Sequence, residues 1–274
     1  MERVVRSPAT RAPRSRRRVA RVREVRRATR LLLGAAGIIV VLAAWEIAYR
    51  LGVVTRVTAS SPSDIVHSTR VLIDNHILFS AMWSTTKLFL VGFAISLGVG
   101  LIVGLLLGWY KVMHALCDPW VTMLYAAPRL ALIPLVVVWA GIGFKAQVVI
   151  VVLLGLFPMI INTMAGVAAM DRTHLRVARS FLATNRDVLI TIALPGALPF
   201  IIAGIRQSLV LSLTGVVVAE YFLGATGVGG LIFKAGQVLE TGQAFVGVAF
   251  FCLAAVVLTS LLGVIEKHFD KWRA

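Results

Sequence analysis

A chain of 274 residues that is 59% hydrophobic and only 15% charged, with a mean hydropathy of +0.90, lies outside the composition of soluble domains, where about a quarter of residues are charged. That balance excludes a soluble enzyme or binding module and makes the chain an integral membrane protein. The net charge of +16 is uneven: residues 1–30 hold twelve arginines against Glu2 and Glu24, and the remainder is only modestly basic.

This arginine-rich arm reads as a disordered cytoplasmic segment retained by the positive-inside effect. Residues 1–30 contain no aromatic side chain to stack on bases, so nucleic acid is not an expected partner. The apolar run that follows, 31–49, is 19 residues long. That exceeds the roughly 7–15 residues of a cleaved signal, so it reads as the first transmembrane helix and a retained anchor.

Spanning the hydrocarbon core, about 30 Å thick, takes about 20 apolar residues at about 1.5 Å each. Six stretches qualify: 31–49, 88–109, 119–141, 148–169, 200–222 and 244–264. The expected fold class is therefore all-α, a polytopic membrane protein with six transmembrane helices. An even number of spans places both termini on one side, and the arm makes that side cytoplasmic. The orientation leans on the arm, because without it the inner and outer Lys and Arg counts are eight and six.

Residues 50–87 form an outer amphipathic segment. Ser63 or Asp64 can cap a helix with Ile65, Thr69, Leu72 and Ile73 on one side, lying along the membrane surface. The third span carries Pro128 and Pro134 with Arg129 between them. Broken backbone at membrane depth survives only against protein or a water-filled cavity, so this span is a candidate pathway wall, with a packing kink as the alternative. Cys117 and Cys252 are not expected to pair, and no two histidines have metal-ligand spacing.

The polar segment 171–199 interrupts the apolar chain. Leu175, Ala178, Phe181 and Leu182 recur at helical spacing, while Arg172, Arg176, Arg179 and Arg186 supply a basic surface. Thr184 or Asn185 can cap a second helix with Asp187 in its first turn, ended by Pro195, Gly196 and Pro199 before the fifth span. Such an elbow is either a membrane-surface helix or a knob for a groove on another protein. Beyond it, Arg206 and Glu220, like Glu46 in the first span, are ionisable groups in apolar surroundings. They mark a pathway, or they pair and snorkel. Arg206 and Glu220 are about 21 Å apart along a helix and cannot pair with each other. Residues 223–243 carry six glycines and read as a flexible, close-packed outer turn, and 265–274 as a cytoplasmic tail.

No nucleotide site is visible. The sequence after Gly224–Gly229 is Gly230-Leu231 where a P-loop needs Lys-Ser/Thr. An intramembrane enzyme would need paired catalytic groups, and the spans offer only the isolated Glu46 and Glu220. An ion-coupled secondary transporter or channel stays open as the alternative to an ATP-driven one.

The run R-V-A-x3-L-x9-I-A-L-P from Arg176 to Pro195 resembles the EAA loop of ABC importer permeases, E-A-A-x3-G-x9-I-x-L-P. The segments PRLALIPLVVVWAGIGF at 128–144, GALPFIIAGIRQSL at 196–209, VVAEYFLGATGVGGLI at 217–232 and the closing EKHFDKW are similar to the nitrate/sulfonate/taurine branch of that family. The resemblance covers about residues 60–272 and makes 88–264 a permease core with its coupling loop at 171–199. It implies a cytoplasmic coupling helix seated on a separate ATPase, with Leu175, Arg176, Ala178, Arg179, Phe181, Leu182 and Ala183 as contact positions. It further implies two P-loop ATPase subunits carrying ATP and Mg, no cofactor in this chain, an extracytoplasmic solute-binding protein, and a second permease copy in a homodimer. Pro128, Arg129, Pro134, Arg206 and Glu220 are the pathway candidates, and either arginine would suit an anion. Two positions depart from the pattern. Arg176 stands where the family has Glu, so either the partner compensates or the loop couples weakly. Leu182 stands where Gly would readily take positive φ, so the turn geometry does not carry over from the resemblance.

Overall fold

The computed structural model describes residues 27–53, 55, 58–170, 177, 178, 180–224 and 226–270. The arginine arm before residue 27, the expected contact positions Leu175, Arg176 and Arg179, and the last four residues lie outside the described residues. No strand occurs among those described, in keeping with the all-α class expected from the long apolar stretches.

The chain divides into one unit ending at Ala44 and another starting at Trp45. The first comprises, among the described residues, the leading part of helix α1 (Arg27–Arg50), whose apolar section Leu32–Arg50 has a mean hydropathy of 2.0. The second begins with the last turns of α1, where Trp45 packs on Phe245 and Glu46 accepts from Arg50 and from the backbone N–H and hydroxyl of Ser63.

Helix α2 (Pro62–Asp74) is the expected outer amphipathic helix, but its cap is Ser61, whose hydroxyl accepts from the Asp64 N–H. Pro62, pre-set for the first helical position, moves the cap one residue ahead of it. Leu72 is buried with Leu78, Leu231 and Val246, so α2 packs on protein through the face read from its spacing. His76, at φ 57°, ends this segment. Helix α3 (Ile77–Trp109) then starts eleven residues before the expected span.

Helix α4 (Lys111–Ala126) is followed by a 3-10 turn (Arg129–Leu132) and helix α5 (Ile133–Ala140), with a bend of 91° between the two halves. The third span is thus two helices and not one, because Pro128 disfavours helix at Ala127 and its own ring blocks the ladder. Helix α6 (Phe144–Ala168) follows.

Contacts between α3 and α6 fix the topology. A side chain at Gly92, Gly100, Gly104 or Gly108 would strike Val151, Met159, Thr163 or Val167 respectively, a constant offset that makes the two helices parallel. Parallel neighbours begin at the same end of the bundle, so the chain between them has to return across it. The bent pair is therefore a broken span, and it brings the five continuous spans to six crossings. The close approach rests on small residues every four positions along α3, where Gly92, Ser96, Gly100 and Gly104 are all buried. With no hydrophobic drive between helices in lipid, such rows let backbones touch and gain dispersion energy.

Residues 180–184 lead into a short helix α7 (Asn185–Val188), a π turn (Leu189–Ala193) and helix α8 (Leu194–Leu223). The prolines do not end the helix as expected. The Leu194 N–H reaches back five residues to the Leu189 carbonyl, and this wider turn tolerates Pro195, whose ring would collide with the preceding carbonyl of a regular helix. Helix α8 runs antiparallel to α6: Gly166 lies against Ala197 and Phe200, Gly204 against Met159 and Asn162, and Gly215 against Val151 and Leu154. At the centre, Gly155 of α6 faces Ser96 of α3 and Ser208 and Ser212 of α8. Leu88, Phe89, Ile150, Val151, Leu209, Leu213 and Val216 complete this core. Helices α9 (Gly227–Gln237) and α10 (Thr241–Asp270) close the unit.

Candidate translocation cavity and coupling elbow

A cavity of about 700 Å³ opens between the broken span and α8, lined by Tyr125, Arg129, Ile202, Arg206, Gln207 and Glu266 among others. Two of the sequence candidates, Arg129 and Arg206, meet here. Pro128 and Pro134 are both exposed and do not line it.

Arg129 is fixed from two sides. One guanidinium N–H donates to the Leu154 carbonyl at 3.3 Å, and the group lies 5.1 Å from the centre of the Tyr125 ring. The carbonyl is available because Pro158 stands four residues later in α6 and has no N–H to give it. One proline bends the wall, and a second supplies the acceptor that holds the arginine at the bend.

Arg206 pairs with Glu266 of α10, a partner 60 residues away. Beside it, Gln207 donates to the Tyr125 hydroxyl at 3.4 Å and accepts from Asn162 at 3.1 Å. A polar chain therefore runs from α6 through α8 to the broken span. Pro199, Ala203, Arg206, Gln207, Val210 and Thr214 form an exposed stripe at helical spacing along α8. Polar side chains midway along such a helix face protein or water and not lipid. Tyr125, Asn162, Gln207 and Glu266 went unread in the sequence, and the i, i+3, i+4 stripe on α8 was the signal that could have found five of the cavity positions, Pro199, Ala203, Arg206, Gln207 and Val210.

Glu220 is placed elsewhere. It is only 1% exposed, accepts from the Thr85 hydroxyl at 2.8 Å and from the Gly229 N–H at 2.8 Å, and Thr85 in turn accepts from the Val228 N–H at 2.8 Å. The carboxylate thus caps the first turn of α9, where a helix favours negative charge. Four glycines of 223–243 serve the expected close packing, Gly224, Gly227, Gly229 and Gly242, while Gly236 faces open space: Gly227, at φ 79°, leaves no room for a side chain beside Glu220, and Gly227 through Leu231 are buried. Neither Glu220 nor Glu46 lines the cavity.

The elbow is built from local rules. Residues 177, 178 and 180 are helical, and the Ala183 N–H returns to the Ala178 carbonyl at 3.1 Å, closing a Schellman turn around Leu182. Leu182 adopts φ 57°, so it takes the left-handed position that Gly would fill. Thr184 caps α7 through the Asp187 N–H, and the Asp187 carboxylate accepts from the Thr184 N–H at 3.0 Å, a reciprocal capping box. Phe181 and Leu182 are 80% and 90% exposed, whereas Val188 is buried. The elbow therefore presents two large apolar side chains outward while its far end continues through the π turn into α8. Among the described residues, no cluster of His, Cys, Asp or Glu could hold a metal.

A broken-span bundle with an arginine-bearing cavity and an elbow of exposed apolar side chains joined to a spanning helix has the build of a membrane transport subunit. Residues 96–274 match the family described as binding-protein-dependent transport system inner membrane component. The chain is 32% identical over 234 residues to SsuC of Bacillus subtilis strain 168, a candidate aliphatic sulfonates transport permease, covering 85% of each protein. It is 31% identical over 189 residues to TauC of Escherichia coli K12, a taurine transport system permease, covering 69% of this chain and 68% of that one. In fold it is similar to a chain of the MetNI methionine ABC transporter in an inward-facing form, with a TM-score of 0.61 at 18% identity over 70% of this chain and 95% of that one. The chain belongs to the binding-protein-dependent transport system inner membrane component family and is the multi-pass permease subunit of an ATP-driven importer.

Proposed function

We propose that this permease imports a small sulfonate-type anion, driven by two separate P-loop ATPase subunits that grip its elbow. The observation that carries the reading is the exposure of Phe181 and Leu182 on a turn locked by the Schellman closure and the Thr184–Asp187 box, directly continuous with α8. Apolar groups this large, exposed on a hydrogen-bonded turn, suit a groove on a partner. Because the turn, α7, the π turn and α8 form one continuous piece, displacement of the elbow displaces the wall that carries Arg206.

The elbow end is then cytoplasmic, as are both termini, and ATP and Mg reside on the partner, with no cofactor in this chain. Leu175, Arg176, Ala178, Arg179, Phe181, Leu182 and Ala183 are the coupling positions. The polar stripe of α8 faces a second copy across the pathway in a homodimer, and an extracytoplasmic binding protein delivers the solute at the opposite end. Two arginines around one cavity, together with the substrates that SsuC and TauC are named for, point to an anion. Ala178→Asp, or deletion of Phe181 to Ala183, is expected to abolish substrate-stimulated ATP hydrolysis by the purified complex while leaving membrane insertion intact. Hydrolysis stimulated as in the unaltered complex would contradict the reading.

A further inference from the structure

We propose that Glu266 is a resident counterion of the cavity: it occupies Arg206 while the cavity is empty, and an entering sulfonate exchanges with it and takes both arginines. This rests on the reading of the chain as an anion permease and adds the device by which the cavity recognises charge.

The charge balance of the cavity is the first argument. Among the described residues lining it, Arg129 and Arg206 are cationic and Glu266 alone is acidic. Arg129 spends one N–H on a neutral carbonyl and lies against the Tyr125 ring, so its charge has no carboxylate beside it in the cavity. The lining therefore holds one positive charge in excess, which a monoanion neutralises. A guanidinium also has its remaining donors set in a rigid fork that suits a flat or tetrahedral oxyanion.

The position of Glu266 is the second. The apolar stretch of α10 ends at Val264, so Glu266 lies just past the hydrophobic section, at the elbow end. Released from Arg206, its carboxylate has a short path to water. Arg206, 53% exposed against 21% for Glu266, is itself in reach of water but stays on the cavity wall because it lies twelve positions beyond Leu194 within α8. Two anions on one guanidinium repel each other, and even screened by solvent this favours departure of the carboxylate when a sulfonate reaches Arg206. The remaining lining, Ile202, Val210 and Leu211, suits a short aliphatic tail on the anion.

The exchange has a mechanical consequence. The Arg206–Glu266 pair joins α8 to α10, and its opening removes one tie between α10 and the helix that continues into the elbow.

The test uses the full-length chain in lipid nanodiscs, with radiolabelled ethanesulfonate as probe and neutral ethanesulfonamide as its uncharged counterpart. Glu266→Gln keeps the side-chain shape and is expected to bind ethanesulfonate about three- to tenfold more tightly, the range of a partly exposed ion pair removed as competitor. Arg206→Gln should weaken binding, and Arg206→Lys, which keeps the pair with Glu266, guards against loss through misfolding by retaining most of it. Infrared difference spectra should show a carboxylate band shifting when ethanesulfonate is added to the unaltered chain, and no such shift in Glu266→Gln. Saturable ethanesulfonate binding that Glu266→Gln leaves unchanged, with no carboxylate shift, overturns the exchange while the anion reading stands. Binding of ethanesulfonamide with none of ethanesulfonate, in both the unaltered chain and Glu266→Gln, overturns the two together.

Discussion

At the scale of single residues, Leu182 concentrates the tension between folding and function. A leucine at φ 57° costs about 1–2 kcal/mol relative to a residue free to take the left-handed region. The turn keeps it nonetheless, 90% exposed, where it contributes nothing to a core. Leu182→Gly should therefore relieve about 1 kcal/mol of local strain. Slower amide hydrogen exchange at residues 181–184 in the isolated permease would reveal it, and the same variant should couple less well because the apolar contact is gone. Unchanged exchange together with unchanged coupling would count against both roles. Residue identities alone separated the elbow's parts well. Thr184 stood with Asn185 as a cap candidate and Asp187 in the first turn, and the reciprocal box that decides for Thr184 is spelled within four positions. Glu220 could not be assigned that way, since the hydroxyl that binds it is Thr85, 135 residues away. Arg206 was legible as a cation in an apolar helix, while Glu266 was not legible as its partner for the same reason.

At the scale of elements, the prolines divide into two kinds. Pro195 sits where the π turn absorbs it, so α7 and α8 stay continuous, whereas Pro128 splits its span. Sequence reading took Pro195 as a helix end and Pro128 as a break or kink within one span, because proline reports a missing N–H and a bulky ring but not how neighbouring backbone accommodates them. Pro158 illustrates the remainder: it frees the Leu154 carbonyl that Arg129 uses. Pro158→Ala should restore the internal hydrogen bond of α6 and compete with Arg129 for that acceptor. We expect thermal stability equal to or above that of the unaltered chain, with weaker ethanesulfonate binding. Binding that is retained in full would show that the carbonyl does not position Arg129. The row of small residues at 92, 96, 100, 104 and 108 was visible in the sequence at a spacing of four, yet its partner on α6 emerges only from the parallel packing.

At the scale of the whole molecule, hydropathy gave six crossings because bilayer thickness sets the length of each span, and the structure keeps that number with the third one broken. What hydropathy cannot supply is the relation between crossings: the antiparallel seating of α8 on α6, and the convergence of Arg129 and Arg206 on one cavity. These relations join the elbow to the cavity, since the elbow, the π turn and the arginine-bearing wall are one length of chain. A photoreactive amino acid at position 182 of the complex reconstituted in lipid, irradiated with and without ATP, tests that connection most directly. The account predicts efficient cross-linking of position 182 to the ATPase subunit in both states, at different sites along the ATPase. Cross-links to phospholipid alone, throughout turnover, would contradict it.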